Sequence, residues 1–308
     1  MEHAFPEHPR FALVGAGAVG CYYGGRLVQH GNEMHFLLRS DYDVVRERGL
    51  HVESCAGDFD LAPSALNVYS NVRDMPKVDV VLVTLKTTAN AYYQELIHPL
   101  LGRQTCILTL QNGLGNEQRL AELFGEERVI GGLAFTCINR VAPGHIRHSD
   151  YGLIKIGELV GGVSARLKRI SEIFNAAEVS CRMLDDLAMG RWEKLLWNVP
   201  FNGLGAALNL TTDRLVNSPA GRELVREIMH EIVRTAHAAG IMIDPALIEQ
   251  NVLRTQTMGP YKSSMQIDRE MNRPIELDAI IGNPMRAAKK HEVSVPKLEM
   301  LYQMLSCI

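Results

Sequence analysis

Three polar side chains recur at steps of four in an otherwise apolar segment, "RWEKLLWNVPFN", residues 191–202. On a helix, Lys194, Asn198 and Asn202 would share one face. A lysine ammonium can give a proton to a reacting oxygen and stabilise its negative charge, and asparagine amides can orient a substrate. Alternatively, the lysine stem covers core surface while its ammonium reaches water. That alternative does not explain the two asparagines in register, nor Pro200, which should loosen the helix.

A glycine-rich turn near the N-terminus offers a site for a nucleotide phosphate. In "FALVGAGAVG", Gly15, Gly17 and Gly20 have the GxGxxG spacing between an apolar strand and a helix. These glycines permit a tight turn, backbone approach to a pyrophosphate and close helix packing, and the helix N-terminus stabilises phosphate charge. Such turns also arise for structural reasons alone. We expect a dinucleotide to bind the whole turn, which comprises Gly15, Ala16, Gly17, Ala18, Val19 and Gly20.

Arg39 indicates which dinucleotide to expect. A site for NAD would place Asp or Glu at the end of the second strand, about 20 residues after the turn, to accept from the ribose hydroxyls. This chain reads "MHFLLRS" there. A guanidinium can grip a 2'-phosphate with two parallel hydrogen bonds, whereas a carboxylate would repel it. NADPH is therefore the expected cofactor, unless Arg39 is only a solvated strand end.

Two further residues follow the carboxyl ends of predicted strands. Lys86 lies just after a strand in "LVTLKTT", and Asn112 lies just after another in "LTLQNGLG". Ligands of open α/β sheets bind outside these strand ends, so both residues are candidate cofactor contacts. Each could equally be a turn residue, since Asn-Gly is a common turn dipeptide.

The elements that must position these residues indicate an α/β fold in two domains. Apolar runs bounded by glycine and polar residues alternate with helical segments from Phe11 onward, as in a doubly wound parallel sheet. The stretch "HIRHSDYGLIKIGE" resembles an antiparallel hairpin strand. From about Asp185 strand signals stop and helical periodicity continues. We expect an N-terminal Rossmann-type domain over residues 1–184 and a C-terminal all-helical domain over residues 185–308.

Composition narrows the class of protein. A formal charge of −3 supplies no wide cationic surface, so neither nucleic acid nor an anionic membrane is expected as a partner. The six cysteines are scattered without CxxC pairs or His-Cys clusters, so no disulfide framework and no metal site is indicated. No apolar run approaches the roughly 20 residues of a spanning helix, and a cytoplasmic location is expected.

The two halves suggest complementary chemistry. Small-molecule sites favour clefts between domains, so the helix bearing Lys194 is expected to face such a cleft. A hydride donor held by the first domain would reduce a carbonyl carbon, and Lys194 would protonate the oxygen.

Several sequence blocks in order resemble the ketopantoate reductases (2-dehydropantoate 2-reductases). The blocks are "GAGAVG", "LVTLK", "QNGLG", "WEKLLWNVPFN", "SSMQID" and "IELDAIIG", and they extend from Gly15 to the C-terminal helices. The resemblance implies NADPH-dependent reduction of a branched 2-oxo acid, ketopantoate, to (R)-pantoate on the route to pantothenate and coenzyme A. Two departures are Gln111 before the asparagine and Thr211-Thr212, where some members place another substrate-contacting asparagine.

The resemblance also implies roles for individual residues. It implies that Lys194 is the general acid, that Asn198 and Asn202 hold the substrate, and that Ser264 binds its carboxylate. It implies that Glu276 lies beside the lysine and the cofactor, and that Lys86 and Asn112 touch NADPH. We expect Asn112 to contact the substrate as well.

The residues themselves leave alternatives for two of these positions. Glu276 lies among apolar helix residues and needs a partner, for which Lys194 is a candidate. It could instead be an acid at a helix N-terminus stabilised by the dipole, since Pro274 precedes it. In "SSMQID" the alternative role of Ser264 is helix capping.

Two other functions stay open on the sequence. One is a paralogous reductase of another 2-oxo acid. The other is a non-catalytic NADPH sensor, which predicts loss of the proton donor or its partner. The intact set of polar residues favours an enzyme. The apolar C-terminal run "PKLEMLYQMLSCI" could seal the helical domain or form the surface of a homodimer.

Overall fold

The computed structural model describes residues 5–308. Residues 1–4, with which the first expected domain begins, lie outside the described residues. The chain forms two compact units: Met1–Gln111 with Asn116–Leu187, and Asn112–Gly115 with Ala188–Ile308. The passage between the units near residue 187 lies three residues from the boundary expected from the sequence. No sequence pattern indicated that the four residues Asn112–Gly115 would belong to the C-terminal unit.

The N-terminal unit alternates strands and helices. Its elements are β1 (Phe11–Val14), α1 (Ala18–Gln29), β2 (Met34–Leu37), α2 (Tyr42–Arg48), β3 (Leu50–Ser54), β4 (Phe59–Leu61), β5 (Asn67–Tyr69), β6 (Val78–Val83), α3 (Tyr93–Ile97), β7 (Leu101–Thr109), α4 (Asn116–Phe124), β8 (Val129–Ala142), β9 (His145–Glu158), α5 (Ala165–Ala176) and β10 (Cys181–Met183).

These strands form one mixed sheet in the order β4-β3-β9-β8-β7-β6-β1-β2-β5, with β10 paired to β9. The five neighbouring pairs from β8 to β5 are all parallel. The long strands β8 and β9 form an antiparallel pair, as the alternation in β9 predicted. The chain leaves β1 toward β2 on one side and returns to β6 on the other, which makes the carboxyl edge near β1 the topological switch point of the sheet.

Alternation along β1 shows why this sheet is covered on both faces. Phe11 and Leu13 belong to one hydrophobic core, whereas Ala12 and Val14 belong to another, and all four are fully buried. Successive strand residues point to opposite faces, so an uninterrupted apolar run requires packing on both sides. The doubly wound arrangement expected from the sequence is confirmed for this part of the sheet.

The C-terminal unit is helical. Its elements are α6 (Leu187–Leu208), α7 (Thr212–Asn217), α8 (Pro219–Ala238), α9 (Ala246–Gln256), α10 (Ser264–Glu270), a π-helical turn (Asp278–Gly282), α11 (Asn283–Lys290) and α12 (Pro296–Ser306). The helix α6 is buried on almost every side and continues through Pro200. An apolar helix without a solvent face belongs at the centre of a domain.

The C-terminal run contributes to the core of this unit. Leu298, Leu301 and Leu305 of α12 are buried, while Met300 and Met304 on its other side are exposed. The first of the two roles considered for this segment therefore holds for one face of the helix. None of the helices within residues 5–308 combines the length and apolar character that crossing a bilayer requires.

Candidate active site

The glycine turn after β1 has the geometry of a phosphate-binding turn. Gly15 has a φ of 101°, and a Cβ atom there would lie 2.4 Å from the Leu85 backbone nitrogen. A Cβ at Gly20 would lie 2.8 Å from the Gly15 carbonyl oxygen and 2.9 Å from Leu13 Cδ1. Only glycine is compatible with these two positions, because one needs a left-handed backbone and the other a close contact between helix and strand.

Gly17 differs from these two glycines because the space beside it is open. A Cβ there would meet nothing closer than the Gly15 carbonyl oxygen at 3.9 Å. Gly17 is the N-cap of α1, no side chain caps that helix, and its first turn contains no acidic residue. Backbone N–H groups at such an uncapped end, together with the helix dipole, favour an anion. The turn therefore fits the pyrophosphate of a dinucleotide.

Arg39 lies two residues after β2 and is exposed. The nearby acid that could instead bind a ribose hydroxyl, Asp41, is already engaged. Asp41 Oδ1 accepts hydrogen bonds from Arg140 Nη1 at 2.7 Å and from Ser40 Oγ at 2.8 Å, and Oδ2 accepts one from the Gly144 N–H at 3.3 Å. Asp41 is 4% exposed. The charge presented to solvent after β2 is consequently that of the arginine.

Lys86 and Gln111 follow the carboxyl ends of β6 and β7. Lys86 is exposed at the start of a short 3-10 segment. Just before it, Thr84 Oγ1 donates to the Gly15 carbonyl at 2.6 Å, which connects the end of β6 to the glycine turn. The carboxyl ends of β2, β1 and β6 thus place Arg39, the glycine turn and Lys86 along one edge of the sheet.

Gln111 anchors the end of β7 through a polar network that sequence reasoning missed. Its Oε1 accepts from Tyr93 Oη at 2.5 Å and from Thr109 Oγ1 at 2.9 Å, and its Nε2 donates to Asn90 Oδ1 at 2.8 Å. Asn90 Nδ2 donates in turn to Asn116 Oδ1 at 2.9 Å. Gln111 is 3% exposed. Gln111 therefore has a structural role.

In the C-terminal unit, Lys194 forms a hydrogen bond with Asn112. The Lys194 ammonium nitrogen donates to Asn112 Oδ1 at 2.8 Å, and the lysine is only 8% exposed. The alternative in which its ammonium reaches bulk water is therefore wrong. The helical spacing also places Asn198 and Asn202 one and two turns further along α6, at 6% and 3% exposure. The expected polar stripe exists and is buried.

The segment that carries Asn112 is held by the π-helical turn. In that turn the Asn283 N–H donates to the Asp278 carbonyl five residues back. The next residue, Pro284, has no N–H, so the Ala279 carbonyl lacks a donor from the helix. That carbonyl accepts instead from the Leu114 N–H at 2.8 Å. Asn283 Nδ2 donates to the Leu114 carbonyl at 2.6 Å, so both backbone groups of Leu114 are bonded.

Gly113 allows this close approach. It has a φ of 86°, and a Cβ there would lie 2.3 Å from the Ala279 carbonyl oxygen. The Asn-Gly pair is therefore more than a turn dipeptide, because its glycine is required for contact between the segment and the π-helical turn. Proline, asparagine and glycine thus act together to fix the backbone next to Asn112.

A second group of polar residues surrounds Asn202. Its Oδ1 accepts from Ser264 Oγ at 3.3 Å and from the Met265 N–H at 3.3 Å, and its Nδ2 donates to the Asn198 carbonyl at 2.9 Å. The cap of α10 is Ser263, whose hydroxyl accepts from the Gln266 N–H at 3.4 Å. Capping therefore does not explain Ser264. The structure brings Ser264 to Asn202, two of the residues that the sequence placed at the substrate.

Glu276 is 5% exposed and lies just before the π-helical turn. Its carbonyl accepts from the Ile280 N–H at 3.2 Å, so its backbone begins that helix. It thus combines burial, which favours a specific partner, with a helix N-terminus, which favours an acid.

Thr212, near the second departure from the family pattern, is buried in α7, and its N–H donates to the Tyr261 carbonyl at 3.0 Å.

Comparison with known proteins identifies the family. The profile described as "Ketopantoate reductase PanE/ApbA" matches residues 11–161, and that described as "Ketopantoate reductase PanE/ApbA C terminal" matches residues 180–308. The chain is 42% identical over 301 residues to a 2-dehydropantoate 2-reductase of a Nostoc species, covering 96% of this chain and 94% of that protein.

Solved structures agree in fold. A crystal structure of 2-dehydropantoate 2-reductase from Geobacter metallireducens superposes with a TM-score of 0.94 at 45% identity, covering 96% of this chain and 99% of that one. The corresponding structure from Methylococcus capsulatus gives a TM-score of 0.89 at 33% identity, covering 97% and 96%. The resemblance expected from the ordered blocks is confirmed, and the chain belongs to the ketopantoate reductase family of oxidoreductases.

Proposed function

We propose that this protein reduces ketopantoate to (R)-pantoate with NADPH as the hydride donor and Lys194 as the proton donor. Membership of the family and 42% identity to a 2-dehydropantoate 2-reductase support the reaction. The single observation that supports the chemistry is the buried Lys194 ammonium bonded to Asn112. A buried ammonium is suited to stabilise an oxyanion, because its positive charge is little screened by water there.

The reduction adds one hydride to the carbonyl carbon and one proton to the carbonyl oxygen. NADPH supplies the hydride when it is bound. Lys194 supplies the proton, becomes a neutral amine, and is reprotonated from solvent before the next turnover. Asn112 accepts one ammonium N–H and thereby limits the directions that the amine can adopt. Because the π-helical turn fixes the backbone beside Asn112, this acceptor is pre-organised before the substrate binds.

NADPH is proposed over NADH because of the charge after β2. Arg39 presents a guanidinium there, and Asp41 is already bonded to Arg140, Ser40 and Gly144. The 2'-phosphate would gain charge-assisted hydrogen bonds from Arg39, whereas the diol of NADH would find no available acid at Asp41. Lys86 and the glycine turn would bind the rest of the phosphates.

The substrate would bind through the polar group on α6 and α10. Ser264 and Asn202 carry a hydroxyl and an amide 3.3 Å apart, and Asn198 lies one turn before Asn202 on the same helix face. A hydroxyl can rotate to donate to an incoming carboxylate, and an amide NH₂ can donate to the same group. These three residues are therefore proposed to hold the 2-oxo acid, with Glu276 as a further contributor to the site.

The decisive experiment is a steady-state assay of Lys194→Ala with NADPH and a panel of 2-oxo acids that includes ketopantoate. We expect the wild type to prefer ketopantoate and the variant to lose kcat by about 100- to 10,000-fold, the usual contribution of a general acid. NADPH binding, measured by fluorescence, should be nearly unchanged.

Lys289→Ala, which removes an exposed lysine of α11, is the matched control and should retain full activity. Full turnover by Lys194→Ala would contradict the proton donor role. If the wild type shows a higher kcat/KM for another 2-oxo acid, that acid would be the substrate in place of ketopantoate, and the proposed mechanism would be unchanged. No turnover of any panel member by a wild type that binds NADPH would favour a sensor.

A further inference from the structure

Two imidazoles and a carboxylate meet on the sheet of the N-terminal unit, away from its glycine turn in sequence. His51 on β3 and His145 on β9 occupy directly paired positions of neighbouring parallel strands, and their ring centroids are 4.7 Å apart. Glu53 lies two residues after His51, on the same face of β3. One donor atom from each of these three residues lies within 4.8 Å of the other two.

A fourth residue orients one of the rings. Asp60 on β4 is the cross-strand partner of His51, and its Oδ1 lies 2.6 Å from His51 Nδ1. A carboxylate in this position places the imidazole proton on Nδ1 and leaves the Nε2 lone pair as a donor. Histidines that bind metal ions commonly have this kind of second hydrogen bond, which fixes ring orientation and raises basicity.

The cluster is open to solvent yet built on a rigid scaffold. The side chains of His51, Glu53 and His145 are 45%, 35% and 27% exposed. His51, Asp60 and His145 line a surface depression of about 410 Å³. All of the ligating positions lie within hydrogen-bonded strands, so their Cα positions are fixed and only side-chain rotation is needed to converge on an ion.

The charges around the cluster include both signs. Arg147 Nε donates to Glu53 Oε2 at 2.7 Å, and the other oxygen, Oε1, lies 2.8 Å from His145 Nε2. Both oxygens of the Glu53 carboxylate therefore have partners, and an ion at this cluster would compete with Arg147 for Glu53. Arg48 also lines the depression. The positive charges of Arg48 and Arg147 repel a cation and therefore lower the affinity of the cluster for a metal ion.

We propose that His51, Glu53 and His145 bind a zinc ion, with Asp60 orienting His51. Two imidazole nitrogens and one carboxylate oxygen, completed by water, form a donor set that suits Zn²⁺ and not Mg²⁺ or Ca²⁺. The ion would join β3 to β9, strands separated by about 90 residues of chain, and would stabilise the folded unit through ligand binding. The long separation explains why no motif in the sequence indicated the site.

The test is a titration of the purified full chain, without an affinity tag, with ZnCl₂ against a chromophoric zinc chelator. We expect one ion per chain, and at least a tenfold loss of affinity in His51→Gln and in His145→Gln. His291→Gln, which removes an exposed histidine of the C-terminal unit, should leave the affinity unchanged. Circular dichroism without zinc would verify that each variant is folded.

Two more variants should change the zinc affinity in opposite directions. Asp60→Asn should weaken zinc binding about 10- to 100-fold, because the orienting carboxylate is lost. Arg147→Gln should strengthen it, because the cation that opposes the ion and holds Glu53 is removed. Unchanged affinity in both histidine variants would overturn the proposal. So would loss of binding in Cys55→Ser, since zinc would then be held by a thiol outside the cluster.

Discussion

At the scale of single residues, the proposed preference for NADPH depends on the arginine after β2. Arg39→Ala should raise the dissociation constant for NADPH by about 10- to 100-fold and leave that for NADH almost unchanged, because a charge-assisted contact contributes about 1.5–3 kcal/mol. Fluorescence titration with both cofactors measures the ratio. Arg73→Ala, which removes an exposed arginine elsewhere in the unit, serves as the control. If the ratio of the two dissociation constants is unaltered in Arg39→Ala, another group binds the 2'-phosphate.

Thiol reactivity tests the packing of individual cysteines. Burial raises the pKa of Cys21 and of Cys106 to about 12, and that of Cys181 to about 11, so these thiols do not ionise near neutral pH. Cys137 is also buried, whereas Cys55 and Cys307 are exposed. The thiolate is the reactive species.

We therefore expect a disulfide reagent at pH 8 to modify two thiols per native chain rapidly and all six after denaturation. Cys55→Ser and Cys307→Ser should each remove one fast thiol. A third fast thiol in the native protein would mean that one of the buried positions opens to solvent on the timescale of the assay.

At the scale of elements, the π-helical turn holds the segment Asn112–Gly115, whose Asn112 is bonded to Lys194. Asn283→Ala removes the donor to the Leu114 carbonyl and should destabilise the protein by about 1 kcal/mol. It should also lower kcat several-fold, because Asn112 and hence the lysine amine lose their fixed orientation, while NADPH binding is retained. Chemical denaturation and steady-state kinetics measure the two effects.

Asn251→Ala is the matched control for this prediction. Asn251 Nδ2 donates to the Leu247 carbonyl at 2.8 Å within α9, so its loss removes a comparable hydrogen bond that does not involve the segment Asn112–Gly115. Its kcat should stay at the wild-type value. Equal kcat losses in the two variants would mean that general destabilisation, and not positioning, reduces activity.

At the scale of the whole molecule, binding of the cofactor should raise the thermal stability of the protein. Saturation with NADPH at 100 times its dissociation constant adds about 2.7 kcal/mol of stability, which corresponds to roughly 5–10 °C in Tm for a unit of this size. Scanning calorimetry should show this shift for the wild type. Gly20→Val, in which the added side chain would displace α1 from β1, should abolish the shift. A full shift in that variant would place the cofactor elsewhere.

Local patterns explain how much of the site was predictable. The glycine turn, Arg39 and the polar face of α6 were found because each depends on spacing within a single turn or strand–helix unit. The family resemblance grouped Ser264 with the proposed substrate residues, and only the structure distinguished it from Ser263, which caps the helix. Gln111 was noted as a departure but not as an anchor, because its partners Tyr93 and Asn90 precede it without any regular spacing.

The sequence by itself determined the classes of element, the phosphate turn and the buried polar stripe, because hydrophobic periodicity and backbone chemistry act over a few residues. Only the tertiary structure decided which segments meet. Lys194 bonds to Asn112 across 82 residues, and Asn283 bonds to Leu114 across 169. Periodicity specifies the face on which a side chain lies, whereas its partner on that face depends on packing between segments that no local pattern encodes.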